Sequence, residues 1–560
     1  MNGEAERLRE RAVEAARGGR VDEAGALHDR AVALAPGDAS ILNSAAYFCS
    51  KQGNEERAIG LWRSAIAADR SAVEPLFNLA LALTGARQAE EARALLVPRE
   101  SELRTVARYW SIRAGAERAL GRKRDAFSSY ETAARLDPGN ARAVHGRARM
   151  ALETGRPAAN LYRSLVAAQP DNREAWLGYA QALDAEHRGS EAQELLQARL
   201  ANEPGWVDAL ELLAQLRWGR GERDDFADYY AKAVDSGAGG PVYLSWCRTL
   251  AGVDRFAEAA EVAAAARIAL GDSAGLALIE ARHRGEAGDD DAAEAIFATL
   301  DLASPERFIH EARHRLRLGD AAAAEALCAR VIDARPDHVS AWALRGIAWR
   351  LMGDARSEWL HGQHGLIAPI PLDLDAAELQ QAVDYLDRLH DDSAIPVGQS
   401  VRGGTQTRGG LFDREDGEAR LIEEAFRRAV DAYRDGLPPR DDTHPLLRHR
   451  DDPWRIAGSW SIRLIDSGHH VQHIHPLGLI SSAAYFAVPP SAADPAEKPG
   501  WLELGRPPAD LRLDLPPIAT IEPKVGQCVL FPSTLFHGTR AFPAGKRMSV
   551  AIDINLDGAA

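Results

Sequence analysis

The sequence is poor in cysteine, which limits the kinds of protein it can encode. Only four cysteines occur in 560 residues, at Cys49, Cys247, Cys328 and Cys528. No two of them form a CxxC pair, and thiols so widely spaced do not make a disulfide scaffold. We therefore expect a protein of a reducing compartment, the cytoplasm.

Long apolar runs and an excess of positive charge are also missing. No stretch approaches the roughly 18 apolar residues of a membrane span, and the opening segment MNGEAERLRERA has no apolar core of a secretory signal. Acidic residues outnumber basic ones by 82 to 67, for a net charge of −15. Such a chain has no general attraction to phosphate backbones. We expect neither a membrane nor a nucleic acid as partner.

Glycine and proline, in contrast, recur at regular intervals over the first two thirds of the chain. Apolar residues at helical spacing flank Gly155 on both sides, and Pro170 closes the second run. Each unit therefore predicts helix, glycine turn, helix and proline turn. The glycines recur every 31 to 36 residues, at Gly19, Gly53, Gly85, Gly121, Gly155, Gly189, Gly221, Gly252, Gly288, Gly319 and Gly353. The prolines between them are Pro36, Pro138, Pro170, Pro204, Pro305 and Pro336.

Paired helices with this period resemble the tetratricopeptide repeat, over about residues 5–355. The resemblance implies stacked helix pairs that wind into a right-handed superhelix with a concave face. Two uses of the array are open at this point. It could bind a protein or peptide partner, or it could be a spacer that positions or oligomerises the rest of the chain.

The composition changes after the last repeat glycine. We divide the chain into helical repeats at 1–356, a linker with a short amphipathic helix at 357–398, and a β domain at 399–560. The domain has one clear helix, at about 417–435, and five or six short strands, which predict a sandwich or double-stranded β-helix. The predicted strands are 456–465, 479–488, 501–504, 519–522, 527–531 and 547–556. The predicted fold class is an all-α helical-repeat superhelix followed by a mainly-β double-stranded β-helix, or jelly-roll, domain.

Three histidines of this domain suggest a metal site. In the segment QHIHP, His473 and His475 are two residues apart, so in an extended chain both side chains project to one face. His537 follows the apolar run of GQCVLFPSTLF, 62 residues later. Imidazoles so placed can share one divalent ion. An isolated HxH pair would favour the alternative of two solvent-facing histidines on a strand edge.

An arginine begins a strictly alternating segment, RMSVAIDIN, ten residues beyond His537. Arg547, Ser549 and Asp553 share one face of this strand, and apolar residues fill the other. Arg547 and Asp553 are about 20 Å apart along a strand, too far for an easy internal salt bridge. A guanidinium binds a carboxylate through a bidentate fork, so Arg547 is predicted to anchor an external carboxylate.

This order of residues resembles the non-haem iron(II), 2-oxoglutarate-dependent oxygenases, whose pattern is H-x-[D/E], a distant His and then Arg-x-Ser. It is similar in particular to a bacterial group of such oxygenases carried behind repeat domains, over about residues 395–556. The matching segments are QSVRGGTQT, GSWSIRL, HIHPLGLISSAAYFAVP, GWLELG, VLFPSTLFHGT and RMSVAID. The resemblance implies the cofactors Fe(II) and 2-oxoglutarate, with O2 as co-substrate, and hydroxylation of a substrate that the repeats recruit.

Carried over residue by residue, the family pattern assigns the site. The metal would be held by His473, His475 and His537, and 2-oxoglutarate by Arg547 and Ser549. Tyr485 is not part of this pattern; it lies on the next predicted strand, and its hydroxyl either reaches the 2-oxoglutarate carboxylate or is satisfied within the core.

One departure from the superfamily pattern is the histidine at position 475, where an Asp or Glu is usual. Three-histidine sites also hold zinc and other divalent ions. Asp553 or Glu503 could supply a carboxylate from a neighbouring strand, and the sequence leaves this open.

Other residues near these motifs have two interpretations each. The segment RGGTQTRGGLF is either a surface loop or a lid whose Arg402, Thr405 and Gln406 contact the substrate. His470 is a candidate further ligand or a donor to a ligand, and Arg540 is an alternative carboxylate anchor.

Two other functions stay open beside the oxygenase. The chain could be a non-enzymatic repeat adaptor with a degenerate metal-binding barrel, or a three-histidine metalloenzyme that does not use 2-oxoglutarate.

Overall fold

The computed structural model describes residues 2–391, 393 and 397–556. Four positions of the predicted linker, 392 and 394–396, and the last four of the predicted β domain lie outside the described residues. The chain divides into two compact units, residues 1–175 and 176–560. None of the described helices is both long enough and apolar enough to cross a membrane.

The first unit consists of helical hairpins. Asp38 and Asn54 accept hydrogen bonds from backbone N–H groups of the first helical turn, and this explains where the second hairpin's two helices begin. Small and apolar residues such as Ala46, Trp62 and Leu79 form its buried core. Its helices are α1 (Asn2–Arg17), α2 (Val21–Leu34), α3 (Ala39–Lys51), α4 (Glu55–Ala68), α5 (Val73–Gly85), α6 (Ala89–Leu96), α7 (Glu100–Leu103), α8 (Ala107–Ala119), α9 (Lys123–Leu136), α10 (Ala141–Glu153) and α11 (Ala159–Ala168).

The helical pattern continues in the second unit up to residue 352. Its helices are α12 (Arg173–Ala185, which begins at the unit boundary), α13 (Gly189–Asn202), α14 (Val207–Gly219), α15 (Asp228–Asp235), α16 (Gly240–Ala251), α17 (Phe256–Leu270), α18 (Ala274–Ala287), α19 (Asp290–Thr299), α20 (Pro305–Arg317), α21 (Ala321–Ala334) and α22 (Val339–Met352). A single π-helical turn, Glu358–Gly362, follows α22.

The turn glycines explain most of the sequence period. Eight of the eleven have positive φ, which glycine adopts without a Cβ penalty. In the other three repeats the left-handed residue is Arg87, His187 or Asp254, two residues from the periodic glycine. The period therefore marks the turns correctly but does not identify the left-handed residue in every repeat.

Two antiparallel sheets make up the β domain. The larger has the strand order β1-β7-β4-β9-β3-β2, and the smaller has the order β6-β5-β8. The strands are β1 (Ala368–Pro371), β2 (Val401–Gln406), β3 (Trp454–His470), β4 (Ile480–Ala487), β5 (Leu502–Leu504), β6 (Ala519–Ile521), β7 (Gln527–Pro532), β8 (His537–Thr539) and β9 (Lys546–Leu556). The two helices are α23 (Ala376–Asp391) and α24 (Gly417–Gly436).

Strand β9 is buried on both faces, and its alternation defines two layers. Val550 and Ile552 pack with residues of α24 such as Phe426 in the main core. Arg547 and Ser549, on the other face, are also almost fully buried. Tyr485 of β4 packs there with Leu502 and other residues of the smaller sheet. The predicted fold class, helical repeats followed by a mainly-β domain of the jelly-roll kind, is confirmed.

The observed strands include all six predicted ones and three more. The Gly-rich segment interpreted as a loop forms β2, which pairs with β3 so that Thr405 lies opposite Arg463. The predicted linker contains β1, which pairs with β7, and α23. The third addition is β8, which has only three residues. The domain boundaries at 356/357 and 398/399 stay predictions.

Candidate metal centre

Three histidines meet at the edge of the smaller sheet. His537 begins β8, and its backbone exchanges two hydrogen bonds with His473, of 2.9 and 3.0 Å. The ring centroids of His473 and His537 are 4.2 Å apart, and that of His475 lies 5.1 and 5.0 Å from them. One ring nitrogen from each residue lies within 4.8 Å of the other two. The three side chains can therefore be ligands of one ion, although the HxH segment is not part of a regular strand.

Each ring is fixed in the same orientation through its Nδ1 atom. Nδ1 of His473 lies 2.9 Å from the Val471 carbonyl oxygen, and Nδ1 of His537 lies 3.1 Å from that of Leu535. Nδ1 of His475 is hydrogen-bonded to the carboxylate of Asp553. Since all three acceptors are oxygens, Nδ1–H donates in every case and Nε2 keeps its lone pair. This tautomer is the one a metal needs.

Burial also keeps the rings of His473 and His537 neutral. It lowers the pKa of His473 to about 3, with a smaller contribution from His475. Burial and the neighbouring His473 hold the pKa of His537 well below its usual value. The two imidazoles are thus unprotonated near neutral pH, and a metal ion does not have to displace protons from them.

The two carboxylates considered as ligands occupy other positions. Glu503 forms hydrogen bonds with Arg506 and lies 4.0 Å from Arg540. Asp553 binds the far side of the His475 ring. A carboxylate in that position makes the imidazole a more electron-rich ligand and brings a negative charge close to the ion. Asp553 can therefore supply part of the negative charge that an Asp or Glu ligand at position 475 would bring to the ion.

Aromatic rings surround the three histidines. The Trp460 ring lies 5.6 Å from His475, and the Phe531 ring lies 4.9 Å from His537. His470 stacks 6.1 Å from His473, and its Nδ1 is 3.0 Å from the Ser400 hydroxyl. His470 thus contacts a ligand ring and is not one of the three converging residues.

A buried arginine with unused donors lies in the same domain. Arg547 is 1% exposed, and its Nε and Nη1 atoms have no hydrogen-bond partner among the described residues. Its Cζ atom lies 5.0 Å from the centre of the Tyr485 ring. The Tyr485 hydroxyl is also buried without a partner in the described part of the chain. A buried donor without a protein partner calls for another partner, and a bound ligand is one that can supply it.

The neighbouring groups support a carboxylate as that ligand. Ser549, opposite Tyr485 in the β4–β9 ladder, is 4% exposed. Burial lowers the pKa of Arg547 and raises that of Tyr485. Asp553 does not compensate Arg547, because it pairs with His475. The side chain of Arg540, the alternative anchor, is 43% exposed.

Several other predicted residues lie away from this centre or have different partners. Arg402 pairs with Asp254 of the repeats, the Thr405 hydroxyl lies 2.9 Å from Nδ1 of His390, and Gln406 pairs with Ile462 in the sheet. The proposed contact of Arg402, Thr405 and Gln406 with a substrate stays a prediction.

One residue near the ligands was not identified from the sequence. Gln472 has a buried Oε1 atom without a partner among the described residues. A Cβ on Gly538 would lie 2.7 Å from its Nε2 atom and 2.8 Å from the His470 carbonyl oxygen, so a larger residue after His537 requires this segment to shift. The only sequence signals were its position beside His473 and the HG pair at 537–538.

Comparisons with known proteins agree with both parts of the structure. Residues 458–553 match the family model described as "Putative 2OG-Fe(II) oxygenase". Tetratricopeptide repeat models match residues 157–216, 113–161 and 310–358. A search of curated proteins gives no match.

Similar solved structures are tetratricopeptide repeat proteins. One from Parabacteroides merdae is 16% identical and aligns over 43% of this chain and 96% of its own, with a TM-score of 0.34. A thermophilic repeat protein from Thermus thermophilus is 22% identical over 32% of this chain and 98% of its own, with a TM-score of 0.26. YrrB, described as having an unusual peptide-binding site, is 19% identical over 31% and 91%, with a TM-score of 0.28. The chain thus carries tetratricopeptide repeats in its N-terminal helical part and a domain of the 2OG-Fe(II) oxygenase type at residues 458–553.

Proposed function

We propose that the protein is an Fe(II)- and 2-oxoglutarate-dependent oxygenase that hydroxylates a substrate recruited by its repeats. The observation that carries the proposal is the combination of three converging histidines with a buried arginine whose Nε and Nη1 donors have no partner among the described residues. A metal-binding module without a cosubstrate does not need the arginine. An isolated buried charge is costly unless a ligand compensates it.

Each group at the site has a distinct task. His473, His475 and His537 would hold the ion through Nε2, with Asp553 orienting one of the rings. When bound, Fe(II) and 2-oxoglutarate supply the oxidising chemistry that transfers an oxygen atom from O2 to a C–H bond.

The polar groups around Arg547 would bind the carboxylate remote from the metal. The guanidinium provides two parallel N–H donors, and the Tyr485 and Ser549 hydroxyls provide two more hydrogen bonds. Because Arg547 and Tyr485 are shielded from solvent, water does not compete for these donors. The same burial selects a ligand that brings a negative charge.

The repeats would recruit the substrate. Arrays of this kind commonly present an extended concave surface to a protein or peptide, and we infer a protein or peptide substrate on that ground.

The test measures metal content and succinate release together. Purified protein loaded with Fe(II) without oxygen is mixed with 2-oxoglutarate and exposed to air, and succinate is quantified. We expect wild-type protein to bind iron and release succinate, and His475→Ala to lose both. His469→Ala is the matched control, because this ring bonds only to the Ser467 carbonyl among the described residues.

Each outcome discriminates between the functions. Succinate release that depends on His475 supports the oxygenase. Bound metal without succinate release would leave the three-histidine metalloenzyme. Equal loss of iron in the His469 and His475 variants would refute the ligand assignment.

A further inference from the structure

The segments that carry the metal ligands pack against the last helices of the repeats. Phe536, immediately before His537, is 4% exposed and belongs to one apolar cluster with Trp342 and Trp349 of α22. Ile474, between His473 and His475, packs against the same cluster. Phe536 and Ile474, which adjoin the three ligands along the chain, thus contact the repeats directly.

The surface of the repeats that receives them is closely packed. The rings of Trp342, Trp349 and Trp359 lie 6.0 to 6.4 Å from one another. His361 of the π-helical turn is buried, and its Nε2 lies 3.0 Å from the hydroxyl of Thr534 in the segment before His537. A Cβ on Gly346 would lie 3.1 Å from the His361 ring, so α22 and the π turn are in close contact.

A loop of the β domain makes a second attachment. We call residues 505–518, between β5 and β6, the β5–β6 loop. Arg313 and Arg317 of α20 both bind the Asp510 carboxylate, at 2.6 and 2.9 Å. Arg350 of α22 donates to the carbonyl oxygens of Gly505 and Pro516.

This loop is also joined directly to a ligand segment. The Gly505 N–H donates to the Phe536 carbonyl oxygen at 2.6 Å. Leu511 of the loop is fully buried in the cluster that contains Phe536. The attachments of the loop and of the ligand segments thus meet on α20 and α22.

We propose that helices α20–α22 and the π turn are part of the metal centre, and that Phe536 and Ile474 are positioning residues for its ligands. This inference rests on the proposed function only in taking the three histidines as a metal site. Ligands must be held to within about 0.5 Å for a productive site, and here the repeats supply that support. Removing the support should weaken metal binding although every ligand remains.

The test is a cobalt(II) titration of the full chain, followed by the visible absorption of the bound ion. Phe536→Ala removes the anchor before His537, and we expect at least a tenfold loss of cobalt affinity, about the lower limit for groups that orient ligands, with an altered spectrum. Phe536→Leu should restore most of the affinity. Phe426→Ala is the matched control, because Phe426 is equally buried in the core on the other side of the larger sheet.

A milder variant is available if Phe536→Ala does not fold. Thr534→Val removes only the hydrogen bond to His361, and we expect a severalfold weaker site with an unchanged far-ultraviolet spectrum. Wild-type affinity and spectrum in folded Phe536→Ala, or an equal loss in Phe426→Ala, would overturn the inference. If wild-type protein binds no cobalt, the metal centre itself is refuted. If Phe536→Ala binds cobalt more weakly while iron-loaded wild-type protein releases no succinate, the oxygenase is refuted and the positioning role is still supported.

Discussion

Replacing Arg547 by methionine should change stability and ligand affinity in opposite directions. The guanidinium is 1% exposed and has two N–H groups without a partner among the described residues. An unsatisfied buried donor costs about 1–3 kcal/mol. Removing both is therefore expected to raise the free energy of unfolding of the ligand-free protein by about 2 kcal/mol, with a higher melting temperature.

The same substitution should abolish the carboxylate site. Each hydrogen bond from a charged donor contributes about 1.5–3 kcal/mol. Loss of both weakens 2-oxoglutarate binding by about 3 kcal/mol or more, which raises the dissociation constant over a hundredfold. Arg547→Lys keeps the charge but not the bidentate fork, so we expect a loss of about tenfold to a hundredfold.

Two measurements on each variant test the expected changes in affinity and stability. Calorimetric titration of 2-oxoglutarate into Mn(II)-loaded protein gives the affinity, and thermal unfolding without ligand gives the stability. Arg540→Met is the control, since this more exposed arginine pairs with Glu503 and should change neither quantity. Unchanged affinity in Arg547→Lys, or loss of binding in Arg540→Met, would refute the assignment.

The remaining predictions concern a ligand, a buried histidine and a glycine. Asp553→Asn keeps a hydrogen-bond acceptor for His475 but removes its charge, and cobalt titration should show about a tenfold weaker metal site; unchanged affinity would exclude a role for the carboxylate. Burial lowers the pKa of His361 to about 3 in the folded protein. As the pH falls from about 6.5, this histidine is therefore protonated in the unfolded chain before it is protonated in the folded one. The free energy of unfolding should therefore keep its full value above about pH 6.5 and fall by up to about 1.4 kcal/mol per pH unit toward pH 3. In His361→Gln, urea unfolding between about pH 7 and pH 4 should show a smaller dependence of this free energy on pH. Gly538→Ala places a Cβ 2.7 Å from Gln472, and we expect weaker metal binding with intact helical circular dichroism; wild-type affinity would show that the segment can shift.

The repeats and the candidate ligands were predictable because both leave local patterns. Glycines such as Gly155 recur with the period of the hairpins, and the alternation in β9 separates Arg547 and Ser549 from the apolar face. The strand β2 was not predictable, since its glycines are typical of loops. At Gly404 a Cβ would lie 2.5 Å from the Arg463 carbonyl oxygen, so the strand is glycine-rich because β3 approaches it closely.

Contacts between distant segments could not be predicted from the sequence. Arg313 and Asp510 are 197 residues apart, and neither stands in a motif. The same holds for Asp254, which takes the left-handed turn position in its repeat and binds Arg402. Charged residues are frequent throughout this chain, so a single sequence offers no way to match one arginine with one aspartate.

The β5–β6 loop has a consequence for competition. The loop is joined to the smaller sheet at both ends, so its effective concentration at the surface of α20 and α22 is about a millimolar. A free peptide that binds the same surface no more tightly than the loop, at a concentration far below a millimolar, would displace little of it. The surface of α20 and α22 is thus already occupied by a segment of the same chain. A substrate peptide recruited as proposed must be selected by the repeats that precede them.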